Sequence, residues 1–170
     1  MRPIDLLIVF VLGSLLGKAI EITWRSFRAG RIVHNGFCAG PYSPIYGVGS
    51  LLGLTIASFP TLIWWRLVIF VLVITSLELI TGLALEKFYH TRLWDYSKDW
   101  MNYKGLICPL YTMLWSLLGM VFLFVIYPYL PKIINTVESS EIGFGVIVLI
   151  GSIMLIDIIV SSARFALDKK

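Results

Sequence analysis

Apolar residues form five runs along this chain, separated by stretches rich in polar, glycine and proline residues. The runs cover about residues 4–24, 45–59, 62–85, 106–130 and 143–165. Four reach the ~20 residues with which an α-helix crosses a ~30 Å hydrocarbon core. The second is short and lies between Pro44 and Pro60, so it is either a thin spanning helix or a re-entrant segment. The pattern predicts an all-α, polytopic membrane helix bundle with five transmembrane helices.

The positions of lysine and arginine distinguish the two interpretations of the second run, because cytoplasmic loops carry an excess of basic residues. A re-entrant run divides them eight against five, and five spans divide them ten against three. The ten are Arg25, Arg28, Arg31, Lys87, Arg92, Lys98, Lys104, Arg164, Lys169 and Lys170, and the three are Arg2, Arg66 and Lys132. The sharper asymmetry favours five spans, with the N-terminus outside and the C-terminus in the cytoplasm. The longest connections, residues 25–44 and 86–105, are then cytoplasmic.

Composition agrees with lipid as the main partner of this chain. Its 170 residues are 58% hydrophobic and 14% charged, against about 45–50% and about 25% in soluble proteins. The net charge of +4 does not indicate nucleic-acid binding, because the basic residues lie at the ends of apolar runs. We expect one integral membrane domain over residues 1–170, in the inner membrane of a bacterium. Gly13 and Gly17, and Gly49 and Gly53, have the small-xxx-small spacing of closely packed membrane helices.

Acidic residues inside the apolar runs are the first candidates for function, since a charge near the bilayer centre costs roughly 2.5–3.5 kcal/mol. Glu21, Glu78 and Asp157 all lie about 6–12 Å from the predicted cytoplasmic ends of their helices, and Glu86 lies two turns beyond Glu78. We predict a polar cavity, open to the cytoplasm, that forms a substrate or proton path along these four acids.

Structural ion pairs are the alternative explanation for the same acids. Lys18 is then the partner of Glu21 or Glu78, and Arg164 is the partner of Asp157. Lys18 precedes Glu21 by three residues and Arg164 follows Asp157 by seven, so both pairs have helical spacing. These pairs would stabilise the bundle without any path for a substrate.

Two polar segments in the cytoplasmic connections carry the remaining candidates. In residues 34–47 three glycines release the backbone and two prolines restrict it at fixed points, which predicts a shaped loop and not a linker. In the second segment Asp95 either caps the start of a short turn or pairs with Arg92. The candidates in the first segment are His34, Gly36, Phe37, Gly40, Pro41, Tyr42, Pro44, Tyr46 and Gly47, and those in the second are Arg92, Trp94, Asp95, Tyr96 and Asn102.

These motifs resemble the bacterial membrane family of ABC-transporter type IV (CmpB-like) proteins over nearly the whole chain. The Gly-Phe, Gly-Pro-Tyr and Pro-Ile-Tyr-Gly pattern matches residues 36–47, and the Trp-Asp-Tyr-Ser box matches residues 94–97. The family's glutamates match Glu78 and Glu86, and its tryptophan in the fourth helix matches Trp115. The family usually has Asn-Arg where this chain has His34 and Asn35, so a phosphate- or headgroup-binding role of that arginine is not carried over.

The acids inside the apolar runs and the glycines of the second run suit a substrate or proton path, so we expect a transporter or an ABC-transporter permease-like component. The chain has no Gly-x-x-x-x-Gly-Lys-Ser/Thr loop, so ATP would require a separate ATP-binding subunit. An accessory or assembly protein that binds a larger membrane partner is one alternative, and an intramembrane enzyme acting on a lipid or isoprenoid phosphate is another. The spacing of His, Cys and acidic residues fits no common catalytic or metal motif, so we expect no catalytic set, metal or cofactor. A His34–His90–Asp95 metal site is the alternative to that expectation.

Overall fold

The computed structural model describes residues 2–33 and 36–167, and it confirms the all-α class. The helices are α1 (Pro3–Ala29), α2 (Pro44–Ala57), α3 (Ile63–Tyr89), α4 (Pro109–Glu138) and α5 (Glu141–Leu167). Four of them, α1, α3, α4 and α5, are long and apolar enough to cross a membrane, while α2 is a shorter apolar helix. His34, Lys169 and Lys170, which entered the predictions above, lie outside the described residues.

The helices extend beyond the apolar runs that predicted them. A run of apolar residues marks where hydrocarbon ends, whereas the helix ends where the backbone turns. The turn after α1 is Gly30 and the turn after α3 is His90, both with positive φ (63° and 50°). The connections are therefore residues 30–43, which we name the first motif loop, and residues 90–108, the second motif loop. The predicted connection over residues 131–142 is also mostly helical, because α4 continues to Glu138.

The long helix α4 changes its hydrogen-bonding pattern near its middle. Residues Phe122–Ile126 form a π-helical segment, in which the N–H of Tyr127 bonds to the carbonyl of Phe122. Pro128 follows directly, and Pro131 lies inside the helix one turn later. A proline donates no N–H to the carbonyl four residues before it, so the wide turn lies where the regular ladder is interrupted. Helix α4 is therefore continuous but locally irregular.

The chain divides into two compact units, which we describe separately. The first unit combines Met1–Ser50 with Thr136–Lys170, and the second is Leu51–Asn135. In the first unit α1 packs against α5. Arg2, before the start of α1, forms an ion pair with Glu138, just before α5. Further along both helices, Leu7 of α1 packs at Gly151 of α5. The two helices therefore run parallel.

Glycines bring α1 and the first part of α2 into close contact in this unit. A Cβ atom built on Gly17 would lie 2.2 Å from Cγ of Tyr46, and one built on Gly13 would lie 2.2 Å from Oγ of Ser50. From the other side, a Cβ on Gly47 would lie 2.3 Å from Oγ of Ser14. The prediction that Gly13 and Gly17 serve close helix packing is confirmed, and Gly47 of the first motif serves the same contact.

In the second unit α3 packs against α4, again through small residues. Gly119 of α4 receives the ring of Phe70 from α3, because a Cβ on this glycine would lie 2.6 Å from Cδ1 of that ring. Phe70 also stacks on Phe122, with ring centroids 6.2 Å apart. Gly82 of α3 leaves room for the side chain of Leu106 in the second motif loop. The second motif loop is therefore seated on α3.

The parallel arrangement of α1 and α5 bears on the short helix α2. Successive spans alternate in direction, so parallel first and last spans require an odd number of crossings. If the four long helices all cross, a fifth crossing is needed, and α2 is the remaining apolar helix among the described residues. At 1.5 Å per residue its 14 residues measure about 21 Å, so residues 58–62 must help to complete the ~30 Å core. This favours a thin-spanning α2 over a re-entrant one; which face is cytoplasmic stays a prediction.

The predicted orientation is testable with cysteine labelling. Lys98→Cys lies in the second motif loop and Ser139→Cys lies between α4 and α5, both at exposed positions. In intact cells a membrane-impermeant maleimide is expected to label Ser139→Cys and not Lys98→Cys, and after lysis it is expected to label both. The unmodified chain is the control, since Cys38 and Cys108 are buried. Labelling of Lys98→Cys from outside would contradict the orientation.

Two glycine-to-alanine substitutions are expected to distinguish the effect of disturbed helix packing on stability from the effect of helix propensity. Gly17→Ala places a methyl group against the rigid base of the Tyr46 side chain, and overpacking of this kind costs about 1–3 kcal/mol. The melting temperature in detergent is expected to fall by about 4–8 °C, corresponding to about 2 kcal/mol. Gly145→Ala is the matched control, because nothing lies within 4 Å of its added Cβ. An equal loss in both variants would show that the α1–α2 contact is not the cause.

Candidate functional site

Glu78, near the cytoplasmic end predicted for α3, is the centre of the polar contacts in the second unit. Its side chain is buried, with 3% of its surface exposed. The hydroxyl of Tyr96 donates a hydrogen bond to Oε1 over 2.9 Å, and the indole Nε1–H of Trp115 donates to Oε2 over 2.9 Å. Each carboxylate oxygen therefore has one donor, and the two donors come from the second motif loop and from α4. Glu78 connects three parts of the unit.

The energy of these two bonds is sufficient to hold an acid in apolar surroundings. A carboxylate at the centre of a membrane helix costs roughly 2.5–3.5 kcal/mol. A hydrogen bond to a charged group contributes roughly 1.5–3 kcal/mol, so two of them offset that cost. Both described partners of Glu78 are neutral, which means that a change in its charge would not leave a buried cation behind.

The rest of the second motif loop holds Tyr96 in position. Its ring stacks on Tyr111 of α4, with centroids 3.9 Å apart and planes 12° from parallel. Its backbone N–H donates to the carbonyl of Gly105 over 2.8 Å. Two residues earlier, the indole N–H of Trp94 donates to the carbonyl of Leu106 over 3.0 Å. The Trp-Asp-Tyr-Ser box is therefore one side of a folded loop, and Gly105 and Leu106 are the other.

Charged residues stabilise the same loop near the end of α3. Glu86 forms an ion pair with Arg92, whose guanidinium also lies 3.6 Å from Asp95. The backbone N–H of Ser97 donates to Asp95 over 2.9 Å. This bond, together with the nearby positive charge of Arg92, lowers the pKa of Asp95 from its ordinary value. Gly105 has φ of 71°, and a Cβ there would lie 2.7 Å from Oδ1 of Asp95, so both the turn and the space require glycine.

Asn102 closes the loop from within. Its amide nitrogen donates to the carbonyls of Ser97 (3.1 Å) and Asp99 (2.9 Å), and its amide oxygen accepts from the N–H of Gly105 (3.0 Å). One side chain thus fixes three backbone groups. The segment is therefore a folded loop, in which Asp95 lies beside Arg92 and also accepts from the N–H of Ser97.

Asp157 of α5 plays a comparable role in the first unit. The backbone N–H groups of Ala39 and Gly40 donate to its carboxylate over 3.3 Å and 3.1 Å. The hydroxyl of Tyr42 donates to the same carboxylate, and so does Ser161, one helical turn away, over 3.1 Å. Four donors therefore surround this acid, and three of them belong to the first motif loop.

Neighbouring contacts complete the attachment of this loop. The ring of Phe37 stacks on that of Phe165, with centroids 5.1 Å apart. In the part of the chain that the structure describes, Arg164 donates to the carbonyl of Phe37 over 3.5 Å and forms no ion pair with Asp157. Gly40 lies against the ring of Tyr42, because a Cβ there would be 2.2 Å from Cε1. The predicted Asp157–Arg164 pair is therefore replaced by a loop contact.

Glu21 lies between two cations on α1. Its Oε1 is 3.3 Å from Nζ of Lys18 and 3.0 Å from a guanidinium nitrogen of Arg25. Lys18 is 3% exposed and also borders Gly36, where an added Cβ would lie 3.0 Å from Nζ. The structural ion pair proposed as the alternative for Glu21 is confirmed.

Other predicted site residues occupy the following places. Within the first motif loop or the first turn of α2 are Gly36, Phe37, Gly40, Pro41, Tyr42, Pro44, Tyr46 and Gly47, and within the second motif loop are Arg92, Trp94, Asp95, Tyr96 and Asn102. His90 is the residue that ends α3. Since His34 lies outside the described residues, the His34–His90–Asp95 site stays a prediction. Among the residues that are described, no group of three or more His, Cys, Asp or Glu could hold a metal ion.

These observations do not test the predicted polar cavity along the four acids Glu21, Glu78, Glu86 and Asp157. Glu21 and Asp157 belong to the first unit, and Glu78 and Glu86 belong to the second, so a shared path stays a prediction. What the structure brings together is an acid and a motif loop in each unit. Reasoning from the sequence missed this coupling, and it also missed Trp115 as a direct partner of Glu78.

Comparison with known proteins gives one match. A family model described as "Putative ABC-transporter type IV" matches residues 8–162. That range contains both motif loops, both loop-bound acids and all or most of every helix. No curated protein and no solved structure matches the chain.

The attachment of the first motif loop to Asp157 is testable through Cys38, a buried thiol of that loop. Burial, and then the charge of Asp157, raise its pKa to about 11, so in the folded protein thiol labelling should accelerate with pH up to about 11. Asp157→Asn places an amide donor against several N–H and O–H donors, and it removes the negative charge. Both effects are expected to expose Cys38 and lower its pKa, and thus to increase its labelling by N-ethylmaleimide at pH 7.5 at least tenfold.

Two controls accompany this experiment. Cys108, buried in the second motif loop, is expected to label at an unchanged rate in the same sample, which distinguishes local opening from unfolding. Glu141→Gln removes an exposed acid from the same helix and is expected to leave both thiols unchanged. Equal Cys38 labelling in Asp157→Asn and the unmodified chain would show that Asp157 does not hold the loop.

Proposed function

Because the chain belongs to the ABC-transporter type IV family, we propose that it is a permease-like membrane subunit of a transport system in the bacterial inner membrane. The observation that supports this most is the attachment of each motif loop to a membrane helix through an acid. Glu78 attaches the second motif loop and Asp157 attaches the first. A movement of either loop would therefore act directly on a helix within the bilayer.

The attachment of the loops to membrane helices suits a protein whose conformational change is driven by a partner subunit in the aqueous phase. A subunit that binds ATP cannot enter hydrocarbon, so it must act through segments at the membrane surface. The second motif loop is cross-linked internally through Asn102 and the Arg92 ion pairs, and Tyr96 bonds it to Glu78 of α3. Such a loop transmits displacement instead of absorbing it. The chain lacks its own nucleotide-binding loop, and the proposal therefore includes a separate ATP-binding subunit.

We place Glu78 at the centre of the substrate or proton path. Glu21 and Glu86 are engaged with cations, and Asp157 is surrounded by donors of the first motif loop. Glu78 instead accepts one neutral hydrogen bond at each oxygen. Release of Tyr96 would free one carboxylate oxygen for a substrate or a proton while Trp115 keeps the other in place. A movement of the second motif loop that releases Tyr96 would then also give a substrate or a proton access to Glu78.

Affinity purification tests the partner. From native membranes in a mild detergent, the tagged chain is expected to recover an ATPase with a Walker A loop in near-equal amount, identified by mass spectrometry. Recovery of the folded chain with no such ATPase would contradict the ATP-driven role and favour the accessory or assembly function. The test needs no knowledge of the substrate.

Glu78→Gln tests the coupling within that complex. The variant keeps the size of the side chain, but its amide NH2 faces one of the two donors, so one hydrogen bond is lost. ATP hydrolysis by the complex in lipid nanodiscs is expected to fall about tenfold, the effect of about 1.4 kcal/mol. Glu141→Gln is the matched control and is expected to retain full activity. An unchanged rate in Glu78→Gln, with the complex intact, would contradict the role of Glu78.

A further inference from the structure

A groove of about 510 Å³ lies where the second motif loop meets α4. Its size falls within the range of about 300–1,000 Å³ that is usual for sites of small ligands. Its lining is mostly apolar and comes from Met101, Tyr103, Ile107, Cys108, Pro109, Thr112, Met113 and Ser116. All of these residues belong to the second unit, and neither Glu78 nor its two hydrogen-bond donors line the groove.

The groove leads from the loop onto one face of a helix that is long enough to span the membrane. Pro109, Thr112, Met113 and Ser116 have the spacing i, i+3, i+4 and i+7, so they form a single stripe along α4. Seven residues of rise correspond to about 10 Å. Because α4 is long and apolar enough to cross a membrane, the stripe continues from the loop along a candidate membrane span. An elongated apolar chain fits the groove better than a compact polar ligand.

The outer end of the groove has positive charge at its rim. Lys104 follows Tyr103 directly, and its Nζ lies 5.7 Å from the centre of the Tyr103 ring. Lys98 is a second exposed cation of the same loop. Met101 and Lys104 both have positive φ (51° and 55°), a conformation that is unfavourable for residues with a side chain. The loop thus places an apolar side chain in the groove and a cation at its edge.

We propose that this groove binds an anionic phospholipid, with one acyl chain along the α4 stripe and the phosphate group beside Lys104. An apolar lining that ends at a cation matches the two parts of such a lipid, an apolar chain and a negatively charged headgroup. The site is independent of the proposed transport function, since it uses neither Glu78 nor an ATP-binding subunit. Its occupant would be drawn from the bilayer itself.

Native mass spectrometry of the delipidated protein tests the site, with phosphatidylglycerol and phosphatidylcholine of identical acyl chains as probes. The first phosphatidylglycerol is expected to bind about tenfold more tightly than phosphatidylcholine. Lys104→Ala should abolish this preference, whereas Lys87→Ala, which removes an exposed cation at the end of α3, should leave it intact. An equal loss in both variants would show general attraction between charges and would overturn the proposal.

Filling the groove tests the acyl-chain part. Thr112→Phe and, one turn further along, Ser116→Leu are expected to weaken binding of both lipids at least fivefold. Leu117→Phe, on an exposed face of α4 outside the groove, is the matched control and should leave binding unchanged. Unchanged binding in both groove variants would overturn the proposal. A shift between monomer and dimer in a groove-filling variant would also overturn the proposal, because it would identify the groove as an interface between copies of the chain.

Discussion

A carboxylate on a membrane helix needs hydrogen-bond donors from the protein, and Glu78 and Asp157 each find some of theirs in a motif loop. Glu78 accepts from Tyr96 and Trp115, and Asp157 accepts from the backbone around Gly40. The interaction acts in both directions, because the acid gains hydrogen bonds from the loop and the loop is held against the helix by the acid. A glycine-rich segment at a membrane surface would otherwise sample many conformations. The first motif loop therefore depends on Asp157 for several of its contacts, while Glu78 holds the second motif loop, which is already folded through Asn102, against α3.

The same logic explains why small residues are so frequent beside these contacts. Gly40 leaves room for the ring of Tyr42, and Gly105 leaves room for Asp95. Gly82 accommodates Leu106 one turn after Glu78. Without water to drive helices together, membrane proteins depend on close approach and hydrogen bonding. Here the two effects occur side by side. The hydrogen-bonded groups lie beside glycines, where another segment can approach the backbone closely.

The sequence predicted those features that depend on local spacing. The four long spans follow from apolar length, the Gly13 and Gly17 contact follows from a four-residue interval, and the Glu21 ion pairs join residues three and four positions apart. The partners of the other acids are distant in sequence. Tyr96 is 18 residues from Glu78, Trp115 is 37 residues from it, and Tyr42 is 115 residues from Asp157. Periodicity indicates which face of a helix is polar, but it contains no information on which loop covers that face.

The separation between Asp157 and its loop has a consequence for biogenesis. Gly40 and Asp157 are 117 residues apart, so the helix that the first motif loop requires, α5, leaves the ribosome well after that loop. Until then α1 and the early part of α2 are already synthesised, while the N–H groups of Ala39 and Gly40 lack the carboxylate to which they donate in the folded chain. The first unit can therefore reach its final form only after α5 has been synthesised. During insertion, a chaperone or insertase that shelters α1 would be of greatest use in that interval.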